Sequence, residues 1–194
     1  MEGKTDRRVR KTRMLLRGAL CQLMREKRVS DITVREIADI CDINRGTFYL
    51  HYKDVFDMVE QIERELVEQF NEVMKDFTPE KMRGNPREPL VRLFTFLRDN
   101  ADVARVLVGP NGDMAFVERM KKMVRDRCRE TWPNLFPPGA ANRFPYYMAY
   151  IISGCVGVIE NWLRGDMEET PEQMAALAES LILGSVAPLG TADG

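Results

Sequence analysis

The stretch DINRGTFYLHYKD, residues 42–54, carries the densest set of side chains in the chain that could do chemistry. It holds the only histidine, His51, close to an arginine, a threonine and two tyrosines. A catalytic histidine needs a nucleophile and an orienting group, and the sequence contains no GxSxG or HExxH frame that would supply them. We therefore expect a surface that contacts another molecule, and not an enzyme.

Charge is distributed unevenly along the chain. Residues 1–53 carry 13 Lys and Arg against 7 Asp and Glu, a formal charge of +6, whereas residues 54–194 carry −7. A basic N-terminal part on an acidic body indicates that the basic part meets a polyanion. The alternative is a basic helix surface that is merely solvated.

Composition limits the remaining classes. With 194 residues, 44% apolar, the chain can form one substantial core and a small second unit. No apolar run approaches the roughly 20 residues of a membrane helix, and the basic N-terminus leads into no signal-peptide core, so we expect a cytoplasmic protein. The four cysteines are far apart and form no CxxC pair, and the whole chain has only one histidine to help them hold a metal. This pattern favours reduced thiols in the core, no metal site and no cofactor.

Apolar residues recur at spacings of three and four along almost the whole chain, which predicts an all-α fold. The expected buried stripe of the first helix includes Leu15, Leu16 and Leu20, and that of the fourth helix includes Phe56 and Val59. The stretch TPEKMRGNPREP is expected to be a linker. About nine helices are predicted, at 6–27, 34–41, 45–51, 54–77, 89–99, 101–108, 113–131, 145–164 and 171–186.

Local signals define several helix ends. Thr33 with Glu36, and Thr170 with Gln173, are spaced as capping boxes. Asn44 is expected to cap the following helix by accepting the amide proton of Thr47. Only residues 41–44 separate the second and third predicted helices, and within this turn Asp42 is expected to be left-handed.

Two short helices joined by a four-residue turn and packed on a longer helix form a helix-turn-helix unit, whose second helix can enter the DNA major groove. Helical phase places Phe48 in the core and projects Arg45, Thr47 and Tyr49 from the half that meets bases. Arg45 suits guanine O6 and N7, and Gly46 permits close approach of the backbone. The expected DNA contacts, bases and phosphates together, are Thr33, Arg45, Gly46, Thr47, Tyr49, His51, Tyr52 and Lys53.

The segment TVREIADICDINRGTFYLHYKD resembles the signature of TetR-type transcriptional regulators. The resemblance implies an all-helical homodimer with an N-terminal helix-turn-helix DNA-binding domain (1–53), a helical ligand-binding and dimerisation domain (54–188) and a flexible tail (189–194). Asp42 departs from the family, because many members have glycine there. GCVGVIENWLRGDMEETPEQMA resembles a branch common in low-GC Gram-positive bacteria, which includes a regulator related to a dihydroxyacetone kinase subunit, so activation and repression both stay open.

The body offers a candidate dimer interface and a candidate pocket. Gly154 and Gly157 leave a flat helix side for close approach of another helix, with Val158 and Trp162 nearby for burial, although packing within the chain would use the same surface. By analogy with the family, an effector pocket would lie among the body helices. Its expected lining is Phe94, Met120, Tyr147 and Tyr150, all of which ordinary core packing would explain equally well.

Three functions follow from these observations. The first is a homodimer that binds double-stranded DNA at a palindromic operator and is released as a repressor by a small-molecule effector, or activates transcription in the same family. The second is a helical ligand carrier or enzyme whose basic N-terminal part is incidental. The third is an adaptor that meets another protein through its acidic body.

Overall fold

The computed structural model describes residues 2–131, 143–165 and 167–186 of the chain. These ranges form ten α-helices and a 3-10 turn at Val29–Asp31, without a β-strand, which confirms the all-α prediction. The helices are α1 (Glu2–Met24), α2 (Val34–Ile40), α3 (Arg45–Tyr49), α4 (Val55–Met74), α5 (Pro79–Gly84), α6 (Arg87–Asp99), α7 (Ala101–Leu107), α8 (Met114–Thr131), α9 (Phe144–Arg164) and α10 (Pro171–Val186).

The chain divides into two compact units that interrupt each other in sequence. The first unit contains the residues up to Leu66 together with Asp102–Met114. The second contains Val67–Ala101 and the residues from Ala115 onward. The expected boundary at residue 53, between a DNA-binding domain and a regulatory domain, stays a prediction. The expected tail, 189–194, lies outside the described residues.

The core of the first unit forms where α1, α2, α3 and α4 bury their apolar stripes. Leu16, Ile37, Phe48 and Met58 are each fully buried. Two residues that were expected on these buried stripes, Leu15 and Phe56, lie outside the core and are 48% and 62% exposed. Adjacent helical residues point about 100° apart, so the stripe of α1, which is centred on Leu16, leaves Leu15 at the surface.

Helix α7 and the turn after it belong to the first unit through polar contacts with α1. The Arg17 guanidinium donates to both carboxylate oxygens of Asp102, at 3.1 and 2.8 Å. The Asn111 side-chain amide donates to the Met24 carbonyl at 3.3 Å, at the C-terminus of α1. A Cβ at Gly112 would lie 2.0 Å from the Leu107 carbonyl oxygen, so this turn requires glycine. The turn therefore supplies donors to carbonyls that the end of a helix leaves without partners.

The second unit is built on α6, α9 and α10. Phe94 of α6 meets Trp162 of α9 edge to face, with ring centroids 5.5 Å apart. The buried Tyr147 hydroxyl donates to the Ile182 carbonyl at 3.2 Å and so joins α9 to α10. The Thr170–Gln173 capping box is confirmed, because the Thr170 amide donates to the Gln173 side chain at 2.7 Å and the Gln173 amide to the Thr170 hydroxyl at 3.3 Å.

The expected linker at residues 78–89 was wrong, because it contains a helix. The Thr78 hydroxyl accepts the Lys81 amide at 3.3 Å, and Pro79 occupies the first helical position, where its missing N–H leaves no bond unmade. Met82 is buried and gives this short helix, α5, an anchor. Three prolines and a glycine in this segment concealed a capping signal.

Two of the cysteines are buried thiols. Burial raises the pKa of the Cys21 and Cys128 thiols to about 12, so both are protonated near neutral pH and packed as core residues. Among the described helices, none combines the length and the apolar character needed to cross a bilayer.

Candidate nucleic-acid interface

The capping box predicted at Thr33 sets the start of α2. The Thr33 amide donates to Glu36 Oε2 at 2.9 Å, and the Glu36 amide donates to the Thr33 hydroxyl at 3.3 Å. The Lys27 ammonium donates to the other Glu36 oxygen. These contacts use two of the amides that are otherwise open to a phosphate at this helix start, so Thr33 is exposed but already hydrogen-bonded.

The turn between α2 and α3 has the strained residue that the sequence indicated. Asp42 has φ of 52°, in the left-handed region. The Ile43 amide donates back to the Ala38 carbonyl at 3.0 Å, which closes the turn. The Asn44 cap differs in detail from the prediction: its side chain accepts the amide of Gly46 at 2.8 Å, whereas the Thr47 amide donates to the Asn44 backbone carbonyl.

The short helix α3 divides its residues between the core and the surface. Phe48 is 0% exposed and contacts Tyr52 with ring centroids 5.7 Å apart. Arg45 and Gly46 are exposed, Thr47 is half-buried, and Tyr49 is 57% exposed. The structure thus brings these expected DNA-contacting residues together on the outer side of α3. The helix ends at Tyr49, two residues earlier than expected.

Tyr52 was wrongly expected to contact phosphate. Its side chain is 3% exposed, and its hydroxyl accepts a hydrogen bond from Arg13 Nε at 3.2 Å, with the guanidinium 5.5 Å from the ring centroid. The aromatic residue therefore packs α3 against α1. The sequence did not indicate this role of Arg13 in joining α1 to Tyr52. Arg13 also pairs with Glu65 of α4 at 2.8 Å.

His51 and Lys53 lie at the end of the same surface. Burial and the nearby Arg13 charge lower the pKa of His51, so the imidazole is neutral near neutral pH and can donate one N–H. Lys53 is exposed, and its amide donates to Asp57 at 2.8 Å, which fixes the start of α4. In the part of the chain that the structure describes, no group of three or more His, Cys, Asp or Glu could hold a metal ion.

The candidate dimer residues separate into two groups. Gly154 and Gly157 are exposed, and a Cβ on either would meet nothing within 4 Å, so neither is packed against another described part of the chain. Trp162 was wrongly placed at the interface: it is 3% exposed, and its indole N–H donates to the Glu169 carbonyl at 3.1 Å. Val158 is half-buried against the core of the second unit.

The expected pocket residues do not form one lining. Phe94 and Tyr147 are core residues, and Met120 packs against that core. Tyr150 is 67% exposed, on the opposite side of α9 from the core. A recess in this unit instead lies between α8 and α9 and includes Met148 and Ile152.

A family model for the TetR transcriptional regulator C-terminal region matches residues 84–184, just over half of the chain. The chain belongs to the TetR family of transcriptional regulators. A curated relative, the uncharacterised HTH-type transcriptional regulator YxbF of Bacillus subtilis, is 30% identical over 61 residues. That match spans 31% of this chain and 16% of the relative.

Solved structures share the TetR fold. The dihydroxyacetone kinase operon activator DhaS matches with a TM-score of 0.58 at 15% identity, over 91% of this chain and 97% of that one. A TetR transcriptional regulator from Streptococcus agalactiae matches with a TM-score of 0.54 at 20% identity, over 94% and 99%. FadR from Bacillus subtilis, solved with stearoyl-CoA, matches with a TM-score of 0.55 at 19% identity, over 90% and 97%. At these identities the likeness shows the fold alone.

The Glu36 carboxylate should make the stability of this TetR-type head depend on pH. The Lys27 ammonium and the Thr33 amide and hydroxyl lower the pKa of Glu36 to about 2. Because the folded pKa lies below the ordinary value of about 4.3, this stabilisation is complete above that value and is lost as pH falls toward 2. Glu36→Gln, which can keep the capping box, should lose less stability than the wild type between about pH 5 and pH 2.

Urea unfolding at a series of pH values measures this difference. Glu26→Gln is the matched control, because Glu26 is exposed and lies outside the capping box. It should follow the wild-type curve. Parallel curves for Glu36→Gln and the wild type would show that the capping carboxylate does not carry the dependence.

Proposed function

We propose that this protein is a homodimeric regulator that binds a palindromic operator through α3 and is released as a repressor by a small-molecule effector. The observation that supports this most directly is the division of α3. Phe48 is buried, while Arg45 and Tyr49 project from the exposed side of the same helix. A short helix anchored on one side and polar on the other has the form of a recognition helix.

Base contacts are assigned to the first residues of α3. The Arg45 guanidinium can donate two parallel hydrogen bonds to guanine O6 and N7, the commonest specific contact in the major groove. The Thr47 methyl suits a thymine methyl. Gly46 has a second role beside close approach, because a Cβ there would lie 3.3 Å from the Asn44 oxygen that caps the helix.

Phosphate contacts are assigned to the residues around that surface. Tyr49, His51 and Lys53 carry donors toward the end of the helix-turn-helix unit. The exposed Thr33, at the start of α2, would exchange its bonds to Glu36 for a phosphate. Such contacts fix the orientation of the protein on the duplex without selecting a sequence. They also make affinity fall steeply as salt rises.

Homodimerisation is supported by exposed apolar faces on the last two helices. On α9, Tyr146 is 79% and Tyr150 is 67% exposed, at one-turn spacing with Gly154 and Gly157 further along the same face. On α10, Leu177 is 47% and Leu181 is 49% exposed, on one face with Gly184. Apolar side chains grouped in this way mark an interaction surface. We assign this surface, which replaces the Trp162 assignment, to a second copy of the chain.

Activation is the second candidate for the sign of regulation. The solved structure with a TM-score of 0.58 is an operon activator, which keeps that sign open within the same architecture. Either sign requires an effector to bind one separation of the two heads better than another, because only differential affinity shifts such an equilibrium. A reporter fused to the selected operator, read with and without the protein, distinguishes the two.

Selection of bound duplexes from a random-sequence library, at near-physiological salt, tests the proposed DNA binding. We expect enrichment of a two-fold symmetric site. Arg45→Ala should relax the preference at one position in each half-site by about 1–3 kcal/mol and leave the other positions unchanged. Uniform weakening at all sequences would assign Arg45 to phosphate. No enrichment by folded, dimeric protein would favour the carrier or adaptor function.

Charge placed on the α10 face should break the dimer. Leu181→Glu would bury an unpaired carboxylate in the proposed interface, so sedimentation equilibrium should show a monomer at concentrations where the wild type is dimeric. Leu183→Glu is the matched control, because Leu183 is 52% exposed on a different side of the same helix and should leave the dimer intact. If both Leu181→Glu and Leu183→Glu remain dimeric, this face of α10 is not the dimer interface.

A further inference from the structure

A recess of about 280 Å³ lies between α8 and α9 in the second unit. From α8 it is lined by Glu118, Lys121, Arg125 and Arg129, and its α9 side includes Met148 and Ile152. Ligand pockets usually begin at about 300 Å³, so this volume suits a small ligand or one end of a longer one. Sequence reasoning placed none of the charged residues here.

The α8 side of the recess carries three cations and one carboxylate. Lys121 Nζ lies 2.8 Å from Glu118 Oε1, and the Lys121 side chain is only 24% exposed. The Arg125 guanidinium is 3.8 Å from the same carboxylate, and Arg129 is 3.7 Å from Asp126. Both of these nitrogen–oxygen distances are longer than a hydrogen bond allows. The recess therefore has a net positive wall whose guanidinium groups are only loosely paired with acids.

The α9 side of the recess is apolar apart from Ser153. Met148 and Ile152 are each 5% exposed and belong to the core of the second unit, which gives the recess a fixed apolar floor. The Met148 thioether can adapt its shape to different chains. A charged wall facing an apolar floor is the complement of a molecule with an anionic end and an apolar end.

We propose that this recess binds a small amphiphilic anion, with a carboxylate or phosphate held by Lys121 and Arg125 and an apolar chain packed against Met148 and Ile152. The anion takes the place of the Glu118 carboxylate as partner of Lys121 and Arg125. As the class of effector for a regulator, this ligand rests on the proposed function. As a binding site, it is independent of DNA.

Isothermal titration calorimetry of the full-length protein without DNA tests the proposal with octanoate, octyl phosphate and 1-octanol. Both anions, or the one with the preferred head group, should bind saturably and at least tenfold tighter than the alcohol. Added salt should weaken binding of the anions and not of the alcohol. A tenfold difference between octanoate and octyl phosphate would identify the head group, and equal binding would leave the shared anion as the determinant.

Three variants place the anion in the recess. The double variant Lys121→Gln with Arg125→Gln should bind the anions at least roughly tenfold more weakly, because two charge-assisted contacts are lost. Glu118→Gln should bind them roughly threefold or more tightly, because the competing carboxylate is gone. Lys122→Gln, an exposed lysine on the same helix outside the recess, should bind as the wild type does.

Several results would overturn the proposal. They are an affinity no higher than that of 1-octanol for both anions, absence of saturable binding of both anions, and unchanged anion binding in the double variant with a wild-type circular dichroism spectrum. The gain expected for Glu118→Gln guards against a merely structural effect, since loss of an ion pair alone would not tighten a ligand. Because no operator is present, failure of the DNA selection would leave this result unaffected.

Discussion

Burial of Phe48 is the constraint on which the candidate DNA-binding surface depends. Helix α3 has five residues, too few to be stable in water without tertiary contacts. Phe48 is 0% exposed, and it holds the helix against the first unit while Tyr52, beside it, receives a hydrogen bond from Arg13 of α1. Because this contact fixes the orientation of α3, Arg45 and Tyr49 project from its exposed side. The strained Asp42 turn and the Asn44 cap set the direction of the same helix from its other end.

The first unit also contains Asp102–Met114, so this constraint involves residues far along the sequence from the N-terminal helices. Asp102 of α7 holds Arg17 of α1 through two hydrogen bonds, and Asn111 donates to the last carbonyls of α1. Helix α1 in turn supports α3 through Arg13 and Tyr52. Helix α7 is therefore connected to α3 through α1 by a continuous set of contacts within the first unit.

The features that the sequence predicted are those that local rules determine. The capping boxes at Thr33 and Thr170, the left-handed Asp42 and the burial of Phe48 follow from neighbours within four residues and from helical phase. The errors at Tyr52, Trp162 and Tyr150 concern exposure, which depends on residues distant in sequence such as Arg13 and Phe94. Helix α5 was missed because its prolines and glycine outweighed the cap at Thr78. The charged recess on α8 could not be foreseen, because spacing along one helix does not show which neighbour covers it.

Replacement of guanine by 7-deazaguanine, one position at a time, in an operator half-site tests the central claim that α3 contacts bases through Arg45. The substitution removes the N7 acceptor and leaves pairing intact, so it isolates one major-groove contact. Fluorescence anisotropy should show a loss of roughly tenfold in affinity at one guanine for the wild type, and no further loss there for Arg45→Ala. Indifference of the wild type at every guanine, or the same loss in Arg45→Ala, would contradict the account.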